Sequence, residues 1–186
     1  MSTFQAAIPG TIFNETGIAG GGDGAYTNKA TDAGGPTKWG ISQLGTKLNT
    51  GTAWTIEQIQ SMTLEQAKAY YLRYYWPQLY GLIQCQDVAS KLFDTGVNDG
   101  PGTAVMICQR ALRDCGKTIV VDCLFGPQTL AQINMVDGNT LLNAMCDEQI
   151  AEYKAIVAKH PEESVNLSEW LVRAEYLRPK QPTQGA

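Results

Sequence analysis

The chain has 186 residues, 44% hydrophobic and 17% charged, with a formal net charge of -4 and a pI near 5.0. That length and apolar content support a packed core and exclude a disordered chain, and the absence of any basic block speaks against a nucleic-acid partner. No run approaches the ~18 apolar residues of a membrane span, and Met1 to Ile8 lack the basic and apolar regions of a secretion signal, so none is expected.

Phe4, Ala7, Ile8, Thr11 and Ile12 recur at helical spacing and predict a first helix ending near Asn14–Thr16. Pro9 weakens that helix unless it sits in the first turn. Residues 17–40 hold Gly17, Gly20, Gly21, Gly22, Gly24, Gly34, Gly35 and Gly40, and read as loop or short hairpin with turns that need positive φ. From residue 52 helices dominate. Thr63-Leu-Glu-Gln66 is a capping-box pattern opening a helix that runs to about Pro77. Its Tyr70, Tyr71, Tyr74, Tyr75 and Trp76 could form a sugar-stacking surface, although their spacing favours core packing for most of them. Helices are expected over Ala89–Val97, Thr103–Cys115, from Pro127, over Asn139–Lys159 and over Asn166–Leu177. Ile119–Val121 with Leu124–Phe125 reads as a small extended excursion, and 178–186 as a flexible tail. No linker separates two independent domains.

The five cysteines (Cys85, Cys108, Cys115, Cys123 and Cys146) are an odd number without a C-x-x-C pair. A disulfide framework or zinc site is therefore disfavoured, and buried reduced thiols are expected. The single histidine, His160, reads as a surface helix-end residue and leaves Ser-His or Cys-His catalysis little to build on. Carboxylates are the remaining chemistry. Cleaving a glycosidic bond takes an acid to protonate the leaving oxygen and, usually, a second carboxylate to stabilise positive charge or activate water. A glutamate held at a packed helix end can stay protonated through partial desolvation, while an aspartate in a wetter loop stays ionised. Glu15 ends the first helix, Asp23 and Asp32 lie in the glycine-rich stretch, and Thr37 follows Asp32. Acidic loop residues are also ordinary turn formers.

These residues carry a resemblance. Phe4, Ala7-Ile8, Ile12 and Glu15, then Tyr26-x-Asn28 and Asp32-x-Gly-Gly35-x-Thr37-x-x-Gly-Ile41, resemble the N-terminal signature of glycoside hydrolase family 108, phage- and bacterium-borne N-acetylmuramidases. Phe93-Asp-Thr-Gly-Val-Asn98, Gly100-Pro-Gly-Thr-Ala104, Cys108-Gln-Arg-Ala-Leu112, Phe125-Gly-Pro-Gln-Thr129 and Trp170-Leu-Val-Arg173 resemble that family's C-terminal, peptidoglycan-binding region. The resemblance implies a mainly α (α+β), lysozyme-like domain over 1–177 with a small glycine-rich β-hairpin insert. A catalytic part would cover 1–85 and a helical peptidoglycan-binding part 86–177. It implies a peptidoglycan hydrolase cleaving the β-1,4 bond between N-acetylmuramic acid and N-acetylglucosamine, with Glu15 as acid, Asp32 as charge stabiliser or base and Thr37 holding water, acting with inversion. Tyr26, Asn28, Trp39, Asp94 and Asn98 are candidate substrate contacts, each with a structural alternative.

The family places its glutamate directly before Gly-Gly-Tyr, whereas Thr16 to Ala25 intervene here and an ungapped reading puts Asp23 in that place. Asp23 is therefore the alternative acid; Glu15 is favoured because packing positions a helix end better than a glycine loop. No metal or organic cofactor and no nucleic acid is implied, and a monomer is expected. Synthesis in a bacterial cytoplasm and action on the periplasmic or extracellular wall, from an endolysin or a virion, would follow. A non-catalytic wall-binding or virion structural protein and a lytic transglycosylase are the competing readings.

Overall fold

The structure, a computed structural model, describes residues 1–28 and 34–180. The chain is mainly helical, with one two-stranded antiparallel hairpin near the N-terminus, as the sequence led us to expect. Its backbone contacts group it into two compact units, Phe4–Pro77 and Met1–Thr3 with Gln78 onward. No helix among the described residues is long and apolar enough to cross a membrane. Residues 181–186 of the expected tail lie outside the described residues.

In the Phe4–Pro77 unit, α1 (Phe4–Thr16) buries Phe4, Ala7, Ile8, Thr11 and Ile12, the stripe expected from the sequence. Pro9 lies inside this helix, not in its first turn. The helix ends where Gly17 turns to φ +68 and its N–H returns to the Phe13 carbonyl at 2.7 Å. A short 3-10 turn, Ala19–Gly21, follows. Strands β1 (Thr37–Lys38) and β2 (Ile41–Ser42) pair with Thr37 opposite Ser42 and Lys38 opposite Ile41.

Among the described residues, three helices complete this unit: α2 (Gln43–Thr50), α3 (Ile56–Gln60) and α4 (Leu64–Tyr75). Ser42 caps α2 by accepting the Gly45 N–H at 3.0 Å. Capping boxes open both α3, through Thr55 and Gln58, and α4, through Thr63 and Gln66. In each, the threonine hydroxyl and the glutamine carboxamide satisfy two otherwise orphaned helix-start donors. Tyr70 and Tyr71 of α4 are buried, and Tyr74, Tyr75 and Trp76 are half-buried.

The second unit has α5 (Gln86–Asp99), α6 (Pro101–Asp114), α7 (Pro127–Ile133), α8 (Gly138–Lys159) and α9 (Leu167–Ala174). α6 packs on both α5 and α8, and α9 lies on α8. The shared interior includes Leu92, Phe93, Ile107, Leu112, Leu141 and Met145, all fully buried. Prolines take the first turn of α6 and α7, where their missing N–H costs nothing. Residues 119–125, expected as an extended excursion, form no strand. The fully enclosed Gln109 side chain holds this segment instead: its Oε1 accepts the N–H groups of Asp122 and Cys123, and its Nε2 donates to Asp122 Oδ1 at 2.7 Å. Of the cysteines, Cys108 and Cys146 are buried, but Cys85 and Cys115 are half-buried and Cys123 is exposed, so the expected burial holds for two. Burial pushes the Cys108 thiol up to about 12, which keeps it protonated and unreactive. His160 is exposed at the end of α8.

Candidate active site

Among the described residues of the glycine-rich segment, Gly21, Gly24 and the hairpin turn gather on the buried side chain of Trp39. It stands with Gly40 in the two-residue turn joining β1 to β2, at φ +57 followed by φ +78. Positive φ at both central positions matches the right-handed twist of the flanking strands. For a bulky residue such as tryptophan this backbone costs roughly 1–3 kcal/mol and persists only where neighbours over-determine it. Here they do. The Trp39 N–H donates to the Gly24 carbonyl at 2.7 Å. Its indole N–H donates to the Met62 carbonyl at 2.9 Å, and its own carbonyl accepts the Tyr71 hydroxyl at 2.7 Å. The ring face is occupied by Gly21 and Gly24, where an added Cβ would fall 2.4 and 2.5 Å from ring carbons.

That anchored turn sets the position of the predicted acid. Glu15, in the last turn of α1, is half-buried. Its side chain lies on the backbone of Gly40: a Cβ there would fall 2.2 Å from Glu15 Oε2 and 2.7 Å from Cδ and Cγ. Glycine at position 40 therefore admits the carboxylate arm to the hairpin turn. Thr37 stands on β1 of the same hairpin, half-buried, with its hydroxyl donating to the Gly35 carbonyl at 2.9 Å. With its proton committed, that hydroxyl still has lone pairs to accept a hydrogen bond from water. Thr27 extends the sheet by two backbone bonds of 2.9 Å with Thr37. Lys38 turns its ammonium to the Gln60 carbonyl at 2.9 Å.

Asp32 lies outside the described residues. Asp23 is exposed, and its carboxylate accepts the Ala25 N–H at 3.2 Å, closing its own turn. Tyr26 is half-buried beside Thr27, and Asn28 is exposed. Trp39, a candidate substrate contact, is 4% exposed with its N–H already bonded, so it supports the turn and does not face a sugar. Asp94, another such candidate, is 1% exposed on α5 and accepts a forked pair of bonds from Arg173 at 3.2 and 3.3 Å. That burial corrects the expectation of a glycan contact there. Asn98 is exposed but donates to Asp99 at 2.7 Å and to the Tyr153 hydroxyl at 2.8 Å, a network that joins α5 to α8. Burial raises the Asp99 carboxyl above the ordinary carboxylate range, against the opposing hydrogen bonds of Tyr153, Gln149 and Asn98.

The reading of residues alone missed the partnership of Gly40 with Glu15. Its available signal was the Trp-Gly pair flanked by Thr37-Lys38 and Ile41-Ser42, a two-residue hairpin loop. Among the described residues no group of three or more His, Cys, Asp or Glu is placed to hold a metal ion.

Comparison with known proteins adds a framework. Residues 19–100 match the family model described as Glycosyl hydrolase 108, and residues 103–175 match one described as Predicted Peptidoglycan domain. The first match takes in Asp23, Asp32 and Thr37 and starts after Glu15. No curated protein matches the chain. The chain is similar to the solved structure of Brucella abortus SagA, with a TM-score of 0.68 and 22% identity, over 96% of this chain and 97% of that one. At that identity the likeness concerns the fold. These matches identify residues 19–100 as a glycosyl hydrolase 108 domain and residues 103–175 as a predicted peptidoglycan domain.

Proposed function

We propose that the protein is an N-acetylmuramidase that hydrolyses the β-1,4 bond between N-acetylmuramic acid and N-acetylglucosamine in bacterial peptidoglycan. The observation that carries this reading is the seating of Glu15 against the Gly40 turn, on the hairpin that also presents Thr37. Glu15 protonates the glycosidic oxygen as the bond breaks. Asp32 stabilises the oxocarbenium-like sugar or takes a proton from the attacking water, and the Thr37 lone pairs orient that water. A carboxyl on a helix end, pressed on fixed backbone, has a defined reach, which general acid catalysis requires. Action on the wall outside the cytoplasm belongs to the same proposal. So does delivery by confinement, because a net charge of -4 offers little attraction to an anionic wall. Strong inhibition of wall lysis by modest salt would count against delivery by confinement.

A second reading has its own support: the glycosyl hydrolase match spans Asp23 and not Glu15. In it Asp23 is the acid. The two separate on purified peptidoglycan. Loss of a general acid typically costs 10²–10⁴-fold in rate, so Glu15→Gln is expected to fall by at least ~10² while Asp23→Asn keeps most activity. The reverse pattern moves the acid to Asp23. Mass spectrometry of the products tests the reaction itself. Reducing muramyl ends are expected; 1,6-anhydro ends mean a transglycosylase, and binding without any release means a wall-binding protein.

A further inference from the structure

The Phe4–Pro77 unit carries a second surface that the hairpin site does not use. A groove of about 270 Å³ is lined by Trp54, Gln66, Ala69, Tyr70, Arg73 and Tyr74. It adjoins, through Trp54 and Gln66, a second hollow of about 180 Å³ that adds Gln58, Ser61 and Met62. Met62 also carries the carbonyl that takes the Trp39 indole N–H, so the groove begins behind the hairpin turn of the same unit.

The aromatic faces are held before any ligand arrives. The Trp54 N–H donates to Thr46 Oγ1 at 3.0 Å, and its carbonyl accepts Gln43 Nε2 at 2.7 Å. The indole stands edge-on to Tyr70 at 5.7 Å, and Tyr70 lies against Tyr74 at 4.8 Å. Arg73 spreads its guanidinium over Tyr74 at 5.5 Å.

The two glutamine carboxamides, the Trp54 indole and Arg73 offer donors. Both capping boxes commit a carboxamide oxygen: Gln58 Oε1 accepts the Thr55 N–H at 2.8 Å, and Gln66 Oε1 accepts the Thr63 N–H at 2.8 Å. Their NH₂ groups make no hydrogen bond among the described residues, nor does the Trp54 indole N–H. The Ser61 hydroxyl spends its proton on the Glu57 carbonyl. Arg73 has no carboxylate partner among the described residues, and none of the lining residues is acidic. Rigid aromatic planes with amide, indole and guanidinium donors suit a ligand with flat apolar faces, many acceptors and a negative charge.

We propose that this groove is an accessory subsite for the glycan strand of peptidoglycan. A pyranose C–H face stacks on Trp54. N-acetyl carbonyls accept from Gln58, Gln66 and the Trp54 indole, and a lactyl carboxylate of a muramyl residue meets Arg73. The proposal rests on the wall-glycan reading above, but its test measures binding and not cleavage.

Full-length Glu15→Gln/Asp23→Asn protein is titrated with three probes: peptide-free glycan strands, chitotetraose and a free stem peptide. The expected result is that glycan strands shift the Trp54 indole and Arg73 Nε–H resonances in NMR spectra. Arg73→Gln should weaken glycan binding roughly five- to tenfold and leave chitotetraose binding unchanged, because chitotetraose lacks the carboxylate. Trp54→Phe should weaken both. Silent Trp54 and Arg73 resonances at saturating glycan overturn the proposal. So does equal glycan affinity in both folded variants, or a response to the stem peptide alone. A wild type that cleaves wall while these resonances stay silent sinks the subsite and spares the hydrolase. Glycan binding here without cleavage does the opposite.

Discussion

Gly40→Ala isolates the contact on which the catalytic reading depends. The new methyl would sit 2.2 Å from Glu15 Oε2 and 2.7 Å from its Cδ and Cγ, where ordinary contact begins at about 3.4 Å. Three atoms of the acid's arm are in the way, so Glu15 must rotate as a unit. The hairpin backbone is tied down through Trp39 and yields less readily than a side chain. The folded state loses little more than the cost of alanine at φ +78, about 1–2 kcal/mol. For a chain of this size that lowers the melting midpoint by roughly 2–8 °C. Catalysis loses far more, because misplacing a reacting group by about 1 Å can cost on the order of 10²-fold. Gly51→Ala is the matched control: its φ is +81, with nothing within 4 Å of the added Cβ. The control should show a comparable drop in melting midpoint and near wild-type release of muramyl ends from purified peptidoglycan. Gly40→Ala should be folded and at least ~10²-fold slower. If Gly40→Ala is folded and keeps more than half of wild-type activity, the seating of Glu15 on the hairpin is not what positions the acid.

Other expectations follow from single contacts. Arg173→Met removes the forked guanidinium from Asp94, which stays 1% exposed; urea unfolding should show a loss of about 3 kcal/mol, with full stability refuting a structural pair. Asp99 has its carboxyl raised by burial, so the folded state holds that proton more tightly than the unfolded chain above the ordinary value of 3.8. Its contribution to stability is full below that value and falls as pH rises through the raised value. Wild type should therefore lose more stability than Asp99→Asn between pH 4 and pH 7 in parallel urea titrations, and parallel curves would refute the burial argument. Thr37→Ser keeps the hydroxyl that bonds Gly35 and should retain activity, whereas Thr37→Val should lower kcat roughly tenfold or more with little change in KM; equal rates would remove Thr37 from the water site.

Much of the fold was legible because it is written in local signals. Thr63 and Gln66 are three residues apart, and their capping box forms within one helical turn. The amphipathic run from Asn139 to Lys159 became α8, extended by one residue to Gly138. The helices α2 and α3 were less visible: eight and five residues give too few turns for an apolar stripe to stand out, although Thr55 and Gln58 repeat the capping pattern. At the site, the helix-end position of Glu15 was readable from its own neighbourhood. The burial of Trp39 was not, since it depends on Gly21, Gly24, Met62 and Tyr71 converging from three segments.

The sequence by itself determined the helical class, the glycine-rich hairpin segment and a short list of carboxylates able to act as acid. Each of these rests on spacing within a few residues, where backbone preference and capping chemistry operate. Only the tertiary structure decided what those groups touch. It withdrew Asp94 into a pair with Arg173, 79 residues away, and Trp39 into the packing. It also laid Glu15 on Gly40. Burial and partnership are properties of the closed chain: desolvation and contact reach a residue from whichever segment packs against it, and no local pattern specifies which segment that is.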